Sequence, residues 1–240
     1  MTEAGRILEI VHKELEKALH PGMTTKAIDR LGEEIIRSYG CIPSFLDYNG
    51  YPASICVSVN DEVVHGIPSE HRIIREGDIV SLDAGVIYKG YHSDAARTHC
   101  VGEVSKEAQN LVRVTRECFF EGIKYAKEGN HLFDISGAIG RYAEERGYGV
   151  VRDLCGHGIG TALHEAPEIP NYEMKRKGVL LKAGMTLAIE PMINIGGWEV
   201  DWMDDDWTVV TRDHSLSAHY ENTVLITENE PKLLSLTEGI

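Results

Sequence analysis

The predicted fold depends on Gly77-Asp78-Ile79-Val80-Ser81-Leu82-Asp83-Ala84-Gly85 and its continuation, Gly90-Tyr91-His92-Ser93-Asp94. Apolar and polar residues alternate from Val80 to Asp83 with the period of a β-strand. Lys89-Gly90 predicts a two-residue turn, so that the whole stretch forms a β-hairpin. In that register Asp94 is the diagonal neighbour of Asp83 on the same face, about 5–8 Å away. A turn one residue longer would place the two carboxylates on opposite faces.

Two carboxylates on one half-buried face repel each other unless a cation lies between them. The alternative is that Asp83 and Asp94 belong to a solvated face and have no joint role. The hairpin alone leaves both interpretations open, so the rest of the chain has to distinguish them.

The composition limits the class of protein. The chain has 240 residues and a net charge of −14. It has no apolar run long enough to span a membrane, and its first residues lack the form of a signal peptide. The five cysteines are scattered without a C-x-x-C pair, which favours reduced thiols over a disulfide framework. We therefore expect a cytoplasmic globular protein that binds neither membranes nor specific nucleic-acid sequences.

Four amphipathic segments predict helices at about 3–20, 24–39, 105–127 and 134–146. The order helix, helix, strands occurs twice, and one constant shift along the chain, which we call the repeat offset, places Asp83 on Glu190 in equivalent strands. We therefore expect an α/β fold in one catalytic domain with two pseudo-symmetric halves, at about 1–104 and 105–240. Packing of the halves about a pseudo-twofold axis would bring Asp83 and Glu190 together.

Five residues in or beside predicted strands are candidate metal ligands: Asp83, Asp94, His157, Glu190 and Glu221. Four carboxylates and one imidazole are not the donor set of a thiolate zinc site, but they suit two divalent cations bridged by carboxylates. Their four negative charges would balance those of two such cations. Without metal, we expect burial and mutual repulsion to raise the pKa values of these carboxylates.

The glycine-rich segment Cys155-Gly156-His157-Gly158-Ile159-Gly160 lacks the spacing and the strand–helix context of a dinucleotide loop. His164-Glu165 matches the beginning of a zinc-protease H-E-x-x-H helix. That motif fails because residue 168 is glutamate and Pro167 would break the helix. The glycines instead indicate a close approach of backbone and substrate. His157 is for this reason a better functional candidate than the histidines elsewhere in the chain.

Several motifs together resemble those of one family: Asn60-Asp61-Glu62-Val63-Val64-His65-Gly66-Ile67-Pro68, the Asp83/Asp94 hairpin, the glycine-rich segment with His164-Glu165-Ala166-Pro167, Ala188-Ile189-Glu190-Pro191 and Ser217-Ala218-His219-Tyr220-Glu221-Asn222-Thr223. They resemble the type I methionine aminopeptidases, and the resemblance runs nearly from end to end. It implies the pita-bread fold, in which a curved, mainly antiparallel sheet is flanked by two pairs of helices.

The resemblance implies a hydrolase that removes N-terminal methionine from peptides and nascent proteins, preferentially when the second residue is small. Its cofactors would be two divalent metal ions (Co, Mn, Fe(II) or Zn) on the five candidate ligands, with a bridging hydroxide as the nucleophile. Glu190 would accept and return a proton. His164 would stabilise the carbonyl oxygen, and His65 would contact the peptide nitrogen on the leaving side.

The resemblance also implies an apolar methionine pocket, because a thioether packs well on soft and aromatic groups. Its walls would be Phe45, Tyr48, Tyr51, Cys56, Leu163 and Trp207. Leu163 stands where the family often has Phe, while His219 and Asn222 stand where it often has Gln and His. These departures concern the shape of the pocket rather than the reaction. The implied partners are methionine peptides and nascent chains, with the ribosome as a further candidate, and the protein is expected to be a monomer.

Three other functions remain as alternatives. An X-Pro aminopeptidase or prolidase has the same fold, but such enzymes usually carry an additional N-terminal domain for which this chain has no room. A non-catalytic binding module of this fold would generally have lost metal ligands, and all five are present here. A dinucleotide-dependent oxidoreductase is suggested only by the glycines, whose spacing is wrong.

Overall fold

The computed structural model describes residues 1–236, so the last four residues of the predicted second half lie outside the described residues. The helices are α1 Thr2–Ala18, α2 Thr25–Ser38, α3 Lys106–Ile123 and α4 Leu132–Glu144. The strands are β1 Ile42–Pro43, β2 Ile55–Val59, β3 Glu62–Val64, β4 Ile79–Tyr88, β5 Tyr91–Cys100, β6 Gly149–Val150, β7 Gly156–Gly158, β8 Glu165–Ile169, β9 Thr186–Ile189, β10 Met192–Asn194, β11 Val200–Trp202, β12 Val209–Thr211, β13 Ser217–His219, β14 Asn222–Leu225 and β15 Lys232–Leu233.

The four predicted helices are confirmed, with differences at their ends. α2 and α3 begin after Thr24 and Ser105, whose side chains accept hydrogen bonds from amides in the first turn. The prediction that the third helix reaches residue 127 was wrong. It ends at Ile123 because tight turns follow, in which the Tyr125 amide donates to Gly122 O at 3.0 Å and the next amide to Ile123 O.

The hairpin has the predicted register. Lys89 and Gly90 both have positive φ, 50° and 80°, as in the two-residue turns that match the twist of paired strands. Tyr88 therefore pairs with Tyr91, Asp83 with Ala96 and Gly85 with Asp94. The even register keeps the carboxylates of Asp83 and Asp94 on one face, where both line the same cavity.

Every strand pairing in residues 1–236 is antiparallel, which confirms the predicted α/β class with mainly antiparallel sheet. The pairings form four sheets rather than one continuous ladder. β1, β2 and β5 pair around β4, and the largest sheet has the order β15-β14-β9-β7-β8. The two remaining sheets have the orders β13-β10-β6 and β11-β12-β3.

The repeat offset recurs in the backbone. Isolated bridges join Thr24 to Ile73 and His131 to Leu180, and α2 and α4 begin one residue after Thr24 and His131. β4 and β9 begin at residues 79 and 186, which have the same separation as Asp83 and Glu190.

The buried apolar residues form two large clusters. One joins α1 and α2 to β2, β4 and β5, and the other joins α3 and α4 to strands of the second half. Hydrogen bonds cross between them where the Glu221 amide donates to Ala96 O at 3.0 Å and the Ala96 amide donates back at 3.4 Å. No helix within residues 1–236 is long and apolar enough to cross a membrane.

Candidate active site

The five candidate ligands line one cavity of about 180 Å³. Asp83, Asp94 and His157 lie on β4, β5 and β7, whereas Glu190 follows β9 and Glu221 precedes β14. Donor atoms of Asp94, His157 and Glu221 all lie within 4.8 Å of one another. The His157 Nε2 atom is 4.0 Å from Asp94 Oδ2 and 3.5 Å from Glu190 Oε1.

Burial and neighbouring groups shift the pKa values of the cluster's side chains towards their uncharged forms. Burial raises the pKa of Asp83 to about 7. Burial, followed by neighbouring carboxylates, raises the pKa values of Asp94, Glu190 and Glu221 well above their ordinary range. Burial and then His164 lower the pKa of His157 to about 4. Without a cation, burial therefore favours the protonated form of the carboxylates and the uncharged form of the imidazole.

The donor set fits divalent cations. Asp83 Oδ1 and Glu221 Oε1 are buried without a hydrogen-bond partner within the described residues, which is unfavourable unless a cation compensates. His157 Nδ1 lies 2.9 Å from Gly158 O and, as the donor, leaves the Nε2 lone pair directed towards Asp94 and Glu190. Oxygen donors with one imidazole suit borderline divalent metals better than thiolate-seeking ones.

His219 is part of this cluster, although the sequence had indicated it only as a departure from the family pattern. Its Nε2 atom lies 3.7 Å from Glu190 Oε2 and 4.0 Å from Glu221 Oε2. The residue is 2% exposed, and neither ring nitrogen has a partner within residues 1–236. Period-two alternation in the extended segment that contains Glu221 was the signal that could have found it.

His164 lies beside the candidate ligand His157. The His164 and His157 rings are 4.1 Å apart. His164 Nδ1 lies 2.7 Å from Tyr48 Oη. When the Tyr48 hydroxyl donates to Nδ1, the hydrogen of the neutral ring is on Nε2, which can then donate to a substrate oxygen. Burial lowers the pKa of His164, which favours this neutral form.

His65 reaches the cavity from an unusual backbone conformation. Its φ of 59° is in the left-handed region, which is uncommon for residues other than glycine. The next residue is Gly66, where a Cβ would overlap the backbone of Val57. Burial, then His164, lowers the pKa of His65 to about 4. The ring is therefore neutral. Its centroid lies 6.2 Å from the centroid of the Trp207 ring.

All six predicted wall residues also line the cavity: Phe45, Tyr48, Tyr51, Cys56, Leu163 and Trp207. The Tyr51 and Trp207 rings meet edge to face at 5.1 Å. The Tyr51 hydroxyl donates to Gly66 O at 3.0 Å, so this polar atom is satisfied away from the apolar wall. Burial raises the pKa of Cys56 well above its ordinary value, which keeps it a neutral thiol. Asn49 lines the same cavity and was not predicted.

Two residues that the sequence did not indicate join the strands behind the cluster. Thr223 Oγ1 donates to Asp94 O at 2.9 Å, and the Asp94 amide lies 2.8 Å from the same Oγ1. Arg97 donates to Asn222 Oδ1 at 2.6 Å and to Glu221 O, while its guanidinium lies 4.5 Å from the Tyr220 ring centre. These contacts fix β5 against β14 and thereby fix Asp94 relative to Glu221.

The fold and the donor set define a hydrolase of the kind that uses divalent metal. The model of metallopeptidase family M24 matches residues 1–228, and the chain belongs to that family. The chain is 55% identical over 99% of its length to the methionine aminopeptidase of Clostridium acetobutylicum, of which 95% is covered.

Two solved structures place the fold within this family. The crystal structure of a methionine aminopeptidase from Thermotoga maritima matches with a TM-score of 0.96 at 46% identity, covering 99% of this chain and 95% of that one. An Xaa-Pro dipeptidase from Bacillus anthracis matches with a TM-score of 0.78 at 26% identity, over 99% of this chain but 59% of its own.

Proposed function

We propose that this protein is a methionine aminopeptidase, which removes N-terminal methionine from peptides and nascent proteins with a small second residue. The observation that carries the proposal is that the five candidate metal ligands and the six apolar and aromatic wall residues line the same cavity. The 55% identity to a curated methionine aminopeptidase over nearly the whole chain supports it. A small cavity that opens beside the donor cluster suits one residue at the end of a chain rather than an internal peptide bond.

Asp83, Asp94, His157, Glu190 and Glu221 would hold the cofactors, two divalent ions of Mn, Fe(II), Co or Zn. Four carboxylates match the charge of two such ions. Ions in this donor set supply Lewis acidity, which makes water acidic enough to act as a nucleophile near neutral pH. His219 lies near Oε2 of Glu190, whereas His157 lies near Oε1 of the same carboxylate.

The chain's own residues then supply the remaining chemistry. Glu190 accepts the proton of the attacking water and returns it to the leaving amine. His164 donates from Nε2 to the substrate carbonyl oxygen as negative charge develops there. His65, which lines the same cavity, contacts the peptide nitrogen of the leaving residue. Its neutral ring can accept or donate a hydrogen bond without adding charge.

The methionine side chain would lie against Tyr51, Trp207 and the other four wall residues. The neutral Cys56 thiol and the aromatic faces present polarisable groups to the thioether. We also propose that residues 1–104 and 105–240 are pseudo-symmetric halves of one catalytic domain, a view that the recurrence of the repeat offset in the backbone supports. A monomer that works in the cytoplasm on chains leaving the ribosome accords with this function.

The test is methionine release from Met-Gly-Met-Met by purified protein, first treated with chelator and then supplied with Mn(II), Fe(II), Co(II) or Zn(II). We expect activity to return with metal and to fall at least about 100-fold in Glu190→Gln, which keeps the side-chain shape but lacks the base. Met-Lys peptides should be cleaved much more slowly than Met-Gly peptides. Absence of methionine release with every metal would refute the proposal.

The same assay distinguishes the X-Pro enzymes, because an Ala-Pro peptide offers their bond and no methionine. Cleavage of Ala-Pro without release of methionine would assign the chain to that activity. Binding of less than one equivalent of metal without any hydrolysis would instead favour a non-catalytic module.

A further inference from the structure

One surface of this acidic protein is locally cationic. The chain carries four cations between residues 175 and 182 and no acidic residue: Lys175, Arg176, Lys177 and Lys182. All four residues are exposed. Within residues 1–236 none of the four side chains has an ion pair or a hydrogen bond. We call residues 175–182 the cationic loop.

The backbone of the cationic loop is anchored to the first turn of α4. The Leu132 amide donates to Val179 O at 2.9 Å, and the Phe133 amide donates to Lys177 O at 3.0 Å. The Leu181 amide donates to Asn130 O at 2.8 Å. The loop therefore presents its cations from a defined backbone, beside the positive end of a helix.

The fold does not require most of these charges, because the same backbone arrangement occurs one repeat offset earlier in the chain without three of the four. There the Thr25 amide donates to Arg72 O at 2.9 Å and the Ile74 amide donates to Met23 O at 2.8 Å. Two of the three charged side chains of this first loop, residues 68–75, have an ion pair. Glu70 pairs with Arg30, and Arg72 lies 3.7 Å from Glu62. Within residues 1–236 the first loop thus has one cation without an ion pair, Arg75, whereas the cationic loop has four.

We propose that the cationic loop binds single-stranded RNA through its phosphates. Clustered unpaired lysine and arginine side chains match a polymer with one negative charge per nucleotide. Tyr125 on the adjoining loop is 41% exposed, and Leu180 is 47% exposed. Exposed rings and apolar groups beside cations provide contacts for unpaired bases. Repulsion from the acidic remainder of the surface is screened beyond about 10 Å at moderate salt.

An anionic membrane is the less suitable occupant. Membrane-surface binding relies on an amphipathic helix that inserts a broad apolar face. The cationic loop offers two exposed apolar side chains, Val179 and Leu180, in a segment that is not helical. RNA binding at this loop does not depend on the peptidase reaction, because none of the four cations lines the catalytic cavity.

The test is fluorescence anisotropy of a labelled twelve-nucleotide oligouridylate, titrated with the full chain at about 50 mM salt and above. We expect the logarithm of the affinity to fall with the logarithm of salt with a slope of about −2 to −3, since each neutralised phosphate contributes about −0.7. Lys175→Gln with Lys177→Gln should weaken binding about tenfold and reduce the slope by about 1.4. Methionine release from a short neutral peptide should be unchanged, which reports on folding.

The matched control removes the same number of positive charges from the first loop, through Arg72→Gln with Arg75→Gln. We expect its RNA affinity to stay within about twofold of the parent. An equal loss of RNA affinity in the two double variants would show an effect of net charge alone and would overturn the proposal. So would absence of binding by the parent protein at low salt. Binding to phosphatidylglycerol vesicles without binding to oligouridylate would overturn it in favour of a membrane surface.

Discussion

Tyr48→Phe tests whether a hydroxyl outside the metal cluster orients His164. The substitution removes one O–H and keeps the ring in the wall of the cavity. The lost bond joins Tyr48 Oη to His164 Nδ1 over 2.7 Å. A net hydrogen bond of this kind contributes about 0.5–1.5 kcal/mol, so kcat should fall about 2–13-fold. KM should change little, because the apolar contact with methionine persists.

Steady-state methionine release from Met-Gly-Met-Met provides the measurement, in a double-mutant cycle with His164→Ala. The single His164→Ala variant should lose about 10²–10³-fold in kcat, as expected for a donor to a developing oxyanion. Adding Tyr48→Phe to it should cause no further loss, because the hydroxyl acts only through the ring that is gone. The coupling free energy would then be about 1 kcal/mol. An undiminished effect of Tyr48→Phe in the His164→Ala background would refute this reasoning.

Three further outcomes are expected. In chelated protein, the pKa of Asp83 is about 7 in the folded state and about 4 in the unfolded chain, so the folded state binds more protons between these values. The free energy of unfolding, measured by urea titration, should therefore fall as the pH rises from about 4 to about 8. A free energy that stays constant over this range would contradict the prediction. His219→Leu should weaken Mn(II) binding about 10–100-fold in calorimetry, as for residues that orient ligands. His219→Gln keeps a hydrogen-bond donor and should retain the affinity of the parent protein. Equal Mn(II) affinities of the Leu and Gln variants would exclude a positioning role for His219. Gly5→Ala should lower the free energy of unfolding by about 1–3 kcal/mol, because the added Cβ would overlap the Leu234 carbonyl. Gly137→Ala is the matched control, since its added Cβ would approach only the flexible end of an arginine side chain, at 2.9 Å. The control should cause no such loss of stability.

Much of the backbone follows from local patterns in the sequence. The turn at Lys89-Gly90 and the alternation before it predict the register that places Asp83 and Asp94 on one face. Thr24 and Ser105 begin their helices because their side chains satisfy amides three residues later. Helix ends are less predictable, as α3 shows, since turns and packing rather than propensity stop it at Ile123.

The candidate site was predicted as a set of residues but not as a geometry. The ligand types and the aromatic walls could be named from motifs, and the structure places them around one cavity. The roles of Thr223 and Arg97 could not be named, because their partners are remote in the chain. Thr223 contacts Asp94 across 129 residues, and Arg97 contacts Asn222 across 125.

The sequence by itself therefore determined the presence of the four helices, the hairpin register and the repeat offset, because each arises from backbone periodicity, capping or turn geometry over a few residues. Only the tertiary structure decided which side chains meet. The Tyr48 hydroxyl reaches His164 across 116 residues, and His219 approaches Glu190 from a different sheet. Such contacts depend on how whole layers pack and exclude water, and no local pattern of side chains specifies that packing.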